Sequence, residues 1–296
     1  MLKNLQPTPV RPARVVVLGS NGFIGGATVR RLRAEGIAVA PLGRNQGLDL
    51  LSANATEMLA ATLRADDALV FVSAKAPCKN AGMLLENLRM AEVVADALTQ
   101  QPVAHVVYVS SDAVYKDSPD RLKETSCAEP GSLHGVMHLA REVVLRSVFA
   151  GPFAIVRPTL VYGFDDPHNG YGPNRFRRLA AAGREIVLFG EGEERRDHVF
   201  VEDVAELIRR VLVHRSVGVV NAVSGDTVSF RALAEFVATQ FEPRVDIRGT
   251  PRTGPMPHNG YRPFAPSAAL EAFPDFKFQY WRDGLAPLCA QTPRTA

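Results

Sequence analysis

A chain of 296 residues, 46% hydrophobic and 22% charged, is long enough to bury one large core or two modest ones. Its 34 Lys plus Arg against 31 Asp plus Glu leave a net charge of +3, too small for a nucleic-acid coat, so no nucleic-acid partner is expected. Cys78, Cys127 and Cys289 are widely spaced, odd in number and without a CxxC, which argues against a disulfide framework and a zinc cage. No apolar run reaches the length of a membrane span, and residues 1–14 carry prolines and charges where a signal peptide needs an apolar stretch, so a cytoplasmic protein with no membrane partner is expected.

In chain order, Arg14–Leu18 is a short β-branched run ending in Gly19. From Ala27 the pattern turns helical, with Val29 and Leu32 among arginines, and Gly36 closes it. Further uninterrupted apolar runs at 37–42, 68–72, 103–109 and 153–156 read as strands buried on both faces. Between them Leu84, Leu88, Ala91, Ala95 and Leu98 recur at helical spacing, with Asn80 as the N-cap. Strands alternating with helices predict an α/β fold, a Rossmann-like doubly wound parallel sheet over residues 1–163. After Gly163 the chain is rich in Gly, Pro and Asn over 164–174, then basic. Residues 164–296 are expected to form mainly a smaller C-terminal substrate lobe, with about 199–224 returning to the core sheet. Within that return, Asp203 with Glu206 three residues on predicts a capped helix over 204–212. Beyond Pro243 loops and short strands are expected.

Gly19, Gly22 and Gly25, with Ser20, Asn21, Phe23 and Ile24 between them, form a GxxGxxG turn between the first strand and the first helix. The spacing lets a pyrophosphate approach the main chain and meet the free N–H groups of the helix N-terminus, so NAD(P) is the expected cofactor. Where an NAD site often has an acidic residue, the second strand ends Leu42-Gly43-Arg44. Arg44 is matched to a 2′-phosphate, which favours NADP(H) over NAD(H); a surface arginine stacking on adenine is the alternative. Asp49 either accepts from the adenine amino group or caps a turn, and Ser73, Ala74 and Lys75 end the next strand, where the chain passes the cofactor ribose.

These residues, together with 109–115 (VSSDAVY), 157–163 (RPTLVYG) and 188–204 (LFGEGEERRDHVFVEDV), resemble the NAD-dependent epimerase/dehydratase branch of the extended short-chain dehydrogenases. The resemblance covers nearly the whole chain and implies hydride transfer on a nucleotide-diphosphate sugar, with Pro158 among the cofactor contacts. It implies Ser111 as the hydroxyl that bonds the reacting oxygen, and it sets Asp112 where 4,6-dehydratases carry a general acid. Ala113 stands where those enzymes have a glutamate. The family's Tyr-x-x-x-Lys pair is replaced by His134 and His138. A neutral imidazole accepts a proton near neutrality without help from lysine, so His134 is the candidate acid/base. His138 is expected to donate to the nicotinamide ribose, with Glu142 one turn on to orient its ring. The opposing reading makes both histidines packing residues of a non-catalytic NAD(P)-binding regulatory module. The pair also has helical metal-ligand spacing, but no third ligand stands nearby and no metal is expected.

In the second lobe Asn174, Arg175, Arg177 and Arg178 open a basic helix, and Arg195 and Arg196 precede a strand. Asn174 and Arg196 most closely match the family's diphosphate clamp, with Arg178 and Arg262 as further substrate contacts and a solvated basic face as the alternative. The resemblance also implies a homodimer through the helix from Met83 and the helix from His134.

Overall fold

The computed structural model describes residues 1–292; residues 293–296, the end of the second expected unit, lie outside them. The first half runs β1 (Arg14–Leu18), α1 (Phe23–Ala34), β2 (Val39–Leu42), α2 (Ala55–Thr62), β3 (Asp67–Phe71), α3 (Ala81–Gln100), β4 (His105–Val109), α4 (Leu133–Val148) and β5 (Phe153–Pro158). It continues with β6 (Leu160–Tyr162), α5 (Pro173–Ala181), β7 (Ile186–Phe189), β8 (Arg195–Phe200), α6 (Val201–Val213) and β9 (Gly218–Ala222). The chain ends in β10 (Thr227–Ser229), α7 (Phe230–Ala238), β11 (Ile247–Thr250), β12 (Tyr261–Arg262), α8 (Ser267–Ala272) and α9 (Trp281–Gln291).

Six parallel strands lie in the order β2-β1-β3-β4-β5-β9. The alternation of β1 explains the double winding. Val15 and Val17 pack with α1 and α6 on one face, while Val16 and Leu18 pack with α2 and α3 on the other. Strand order reverses at β1, with β2 on one side and β3 on the other, so a crevice opens beyond the carboxyl ends of these strands. Asn80 caps α3 by accepting from the Met83 amide at 2.9 Å.

Several sequence expectations shift. The first helix starts at Phe23 rather than Ala27, the fourth strand at His105 rather than 103, and beyond Pro243, where only loops and short strands are expected, α8 and α9 form, Trp281, Leu285 and Leu288 giving α9 an apolar face that buries in a second core. The second strand starts at Val39, not 37, because the Ile37 amide donates to Leu32 O and closes α1 behind Gly36 in left-handed conformation. The sixth helix starts at Val201 directly out of β8, with no side-chain cap at Phe200. Asp203 accepts instead from the Gln279 amide, and Glu206 gathers Arg31, Arg209 and Arg210.

Of the remaining strands, β6, β8 and β12 face the crevice. β8 is paired by β10, β12 and β6, and β7 pairs with β11. Phe176, Leu188, Phe230, Leu233 and Trp281 from α5, β7, α7 and α9 fill a separate core beneath them.

Candidate active site

A cleft of about 960 Å³ runs from the glycine turn, across the carboxyl ends of β3, β4 and β5, to β8 and β12. At its first end Gly19 has φ +100, and a Cβ there would fall 2.7 Å from the Ser73 amide. A Cβ on Gly25 would stand 2.1 Å from the Gly19 carbonyl, so the helix packs on the turn only with glycine. No side chain caps α1, which leaves its first N–H groups for an anion. This cradle fits a dinucleotide pyrophosphate. Gly19, Asn21, Gly22, Phe23 and Ile24 line the cleft; Gly25 lies behind them. Asn21 is tied to Gln46 at 2.8 Å, and Arg44 lines the cleft in a short 3-10 turn. Asp49 also lines it while accepting from the Leu51 amide at 3.0 Å, which is the turn-capping alternative.

Ser73, Ala74 and Lys75 follow β3 along the floor. Their course is fixed by two buried side chains that sequence reasoning missed. Asn87 bonds both backbone groups of Lys75, at 3.0 Å each, and Arg141 donates to the Ser73 carbonyl at 2.7 Å while stacking on Phe71. The Lys75 ammonium pairs with Glu86.

At the centre, Ser132 caps α4, and Gly135 lets the helix sit against Ala113 O, where a Cβ would be 2.0 Å away. The helix thereby brings His134 and His138 to the cleft beside Ser111, Asp112 and Pro158. The two imidazoles meet edge to face with centroids 4.7 Å apart. His134 Nδ1 accepts from the Cys78 amide at 3.4 Å, and burial lowers its pKa against the pull of Asp112. His138 is deeply buried, and its pKa is well below the ordinary imidazole value because of burial, His134 and Arg141. Its Nδ1 bonds the Tyr108 hydroxyl at 2.7 Å, so the expected orienting role of Glu142 falls to Tyr108. Glu142 instead holds Arg157 through two bonds and accepts from Ser110, entirely inside the protein. Ser111 Oγ accepts from the Ala113 amide at 3.2 Å.

On the far wall the arginines divide. Arg196 lines the cleft, bonds Glu194 at 3.2 Å and keeps a buried Nε with no hydrogen-bond partner among the described residues. Asn174 lines it too, but its Oδ1 accepts from the Gly163 amide. Arg178 is bonded to the Asp166 carbonyl and to Asn169 and does not itself line the cleft. Arg262 reaches the wall, yet its guanidinium is committed. It donates to Asp112 Oδ2 at 3.1 Å, to Asp112 O at 2.7 Å, and to Asp117. Sequence spacing reads these arginines as phosphate contacts because it cannot reveal partners that the fold delivers from a distance.

The family model for the NAD dependent epimerase/dehydratase family matches residues 15–223, from the first core strand through the last. The chain belongs to that family. A UDP-glucose 4-epimerase of Mycolicibacterium smegmatis (strain ATCC 700084 / mc(2)155) is 29% identical over 235 residues, 67% of this chain and 72% of that protein. A dTDP-4-dehydro-6-deoxy-D-allose reductase of Streptomyces bikiniensis is 26% identical over 264 residues, 75% of this chain and 79% of that one. Among solved structures, RMD from Pseudomonas aeruginosa complexed with NADPH superposes with a TM-score of 0.80 at 20% identity, covering 94% of this chain and 98% of that chain. UDP-glucose 4-epimerase from Thermus thermophilus in complex with NAD gives 0.78 at 23% identity over 94% and 99%. This family member thus shares the Rossmann-like fold of its structural neighbours, and the family is one of NAD(P)-dependent enzymes. Among the described residues no helix is long and apolar enough to cross a membrane.

Proposed function

We propose that the protein is an NAD(P)-dependent enzyme that transfers hydride to and from the sugar of a nucleotide-diphosphate sugar, as an epimerase or reductase. The observation that carries this reading is the single continuous cleft. It joins the glycine cradle, the Ser111, His134 and His138 group, and Arg196 on the opposite wall. When bound, the nicotinamide supplies the hydride donor or acceptor. The chain's own residues do the rest. Ser111 and His134 hold the reacting oxygen, His138 fixes the cofactor ribose, and Arg196 with Asn174 takes the diphosphate. Arg44 supports NADP(H), since it faces the cleft where an acidic ribose ligand would otherwise stand. With residues 1–163 as the cofactor unit and most of 164–292 as the substrate unit, the cleft is the seam between them. The protein works without nucleic acid in the cytoplasm as a homodimer through α3 and α4, whose exposed Leu85, Val136 and Val143 suit a second copy.

Incubating the protein with NAD(P)H and a panel of UDP-, GDP- and dTDP-sugars, then separating products by chromatography, tests the reading. A new sugar nucleotide is the expected result. Binding of cofactor with no turnover of any sugar would favour a regulatory NAD(P)-binding module, the reading to which the replaced Tyr-x-x-x-Lys pair points.

A further inference from the structure

The wall expected to receive the diphosphate is short of positive charge. Its two guanidiniums, Arg196 and Arg262, are bonded to three carboxylates, Glu194, Asp112 and Asp117. A doubly charged diphosphate meeting this set would face no net attraction. One more titratable side chain completes this part of the wall, and nothing in the glycine or catalytic motifs announces it. His258 lies on a short turn, Pro257–Gly260, just before β12, and lines the cleft with Arg196, Arg262 and Asp117. Both His258 and Asn259 hold left-handed backbones with φ +51, a conformation that residues with a side chain adopt only at a cost. The turn is tied down by one side-chain bond, His258 Nδ1 standing 2.6 Å from Asp117 Oδ1. The Arg262 guanidinium lies close by without bonding the ring, its donor Nη1 3.2 Å from Nδ1. A carboxylate only accepts, so His258 donates from Nδ1, and its Nε2 is the ring nitrogen left for a ligand.

The charged groups facing this imidazole come from three elements. Burial chiefly opposes the imidazolium, and Arg196 on β8 and Arg262 on β12 oppose it too, whereas Asp117, from the loop after β4, favours it. The ring is therefore neutral at neutral pH until an anion arrives. A diphosphate reverses this balance by screening Arg196 and offering oxygens to Nε2.

We infer that His258 is a substrate-binding residue that takes up a proton from solvent as the diphosphate binds, supplying the positive charge that Glu194, Asp112 and Asp117 have cancelled on the two arginines. His258 Nε2 then carries the new proton and donates it in a charge-assisted bond to a phosphate oxygen, while Nδ1–H stays on Asp117. Substrate affinity therefore falls as pH rises and the imidazolium becomes harder to form. This inference rests on the proposed diphosphate-sugar substrate.

The test is calorimetric binding of UDP-glucose, GDP-mannose and dTDP-glucose to the NADP⁺-loaded protein, in buffers of different ionisation enthalpy. These diesters do not titrate near neutrality, so net proton uptake reports the protein. The wild type is expected to take up between about half and one proton at pH 7.5, and to bind up to about tenfold more weakly per pH unit as pH rises. His258→Asn, chosen because asparagine tolerates the left-handed backbone, is expected to bind with no uptake and a flat pH dependence. Asp117→Asn should reduce the uptake. Binding without proton uptake by the wild type, or equal uptake by His258→Asn, would overturn this inference alone. Failure of every sugar nucleotide to bind the wild type would overturn the functional reading and this inference with it.

Discussion

The Tyr108 hydroxyl and His138 Nδ1 meet across 2.7 Å in the buried seam between β4 and α4. Burial pushes the Tyr108 phenol far above its ordinary range, so it keeps its proton and donates. His138 therefore accepts at Nδ1 and carries its own proton on Nε2, the tautomer able to donate to a cofactor ribose. Tyr108→Phe removes the donor and leaves a buried Nδ1 unsatisfied. It should cost about 1–3 kcal/mol in denaturant unfolding and weaken NAD(P) binding about fivefold or more. Cofactor affinity unchanged in a folded variant would detach His138 from the cofactor.

Arg44 makes the second prediction. Replacing it with alanine removes a charged contact worth about 1.5–3 kcal/mol to a 2′-phosphate, so NADP(H) should lose roughly 10- to 150-fold in affinity and NAD(H) little. Fluorescence titration with the two reduced cofactors separates these cases. Equal losses would mean that the guanidinium only stacks on adenine.

The parts of the fold legible in the sequence were those fixed by local chemistry. Buried β-branched runs marked the strands, and the spacing of Gly19, Gly22 and Gly25 marked a turn whose close contacts, 2.1 Å for a Cβ at Gly25, tolerate nothing larger. Asn80 announced its helix because capping is a local bond. What escaped the sequence was partner choice. Arg262 was legible as a cation, but its partner Asp112 lies 150 residues away, and Arg157 and Glu142 meet only because β5 packs beside α4. Asp203 and Glu206 spelled a capping box, yet β8 runs straight into α6, and both carboxylates are engaged elsewhere. The turn at His258 is marked by Asn259-Gly260, a dipeptide that favours left-handed backbones, but nothing local shows that it delivers the ring to Asp117, 141 residues away.

His105 predicts an acid-sensitive stability. It sits at the start of β4, its Nε2 bonded to Ser216 O at 2.8 Å, and burial lowers its pKa to about 4. The unfolded chain binds this proton near 6.5, so the stabilisation is complete above that value and is lost as pH falls through about 4. The loss amounts to roughly 3 kcal/mol at 1.36 kcal/mol per unit. Asp197, raised to about 7 by burial, acts in the opposite sense: its contribution is present below the ordinary carboxylate range and lost as pH rises through about 7. The difference between variants isolates His105. The gap in unfolding free energy between wild type and His105→Gln should shrink by roughly 3 kcal/mol between pH 7 and pH 4. A constant gap would show that the proton is not excluded from the folded state.

His134 carries the last prediction, which concerns what kind of group it is. Its Nδ1 accepts from the Cys78 amide, so the neutral ring holds its proton on Nε2 and presents a donor to the reacting oxygen. To act as a base it must first surrender the Cys78 bond, which is long at 3.4 Å and so a weak restraint. Burial lowers its pKa, so the neutral form persists below pH 6.5, and kcat/KM should fall only as pH drops through that lowered value. His134→Ala should reduce kcat by roughly 10²- to 10⁴-fold, abolish that acid limb and spare cofactor affinity. His134→Gln separates the two roles, because a carboxamide donates a hydrogen bond but does not titrate. Recovery of most of the rate in the glutamine variant would make His134 a hydrogen-bond donor to the reacting oxygen. A rate as low as that of the alanine variant would make it the acid/base. Full kcat in His134→Ala would remove it from the chemistry and pass the role to Tyr115 or Asp112, which also line that part of the cleft.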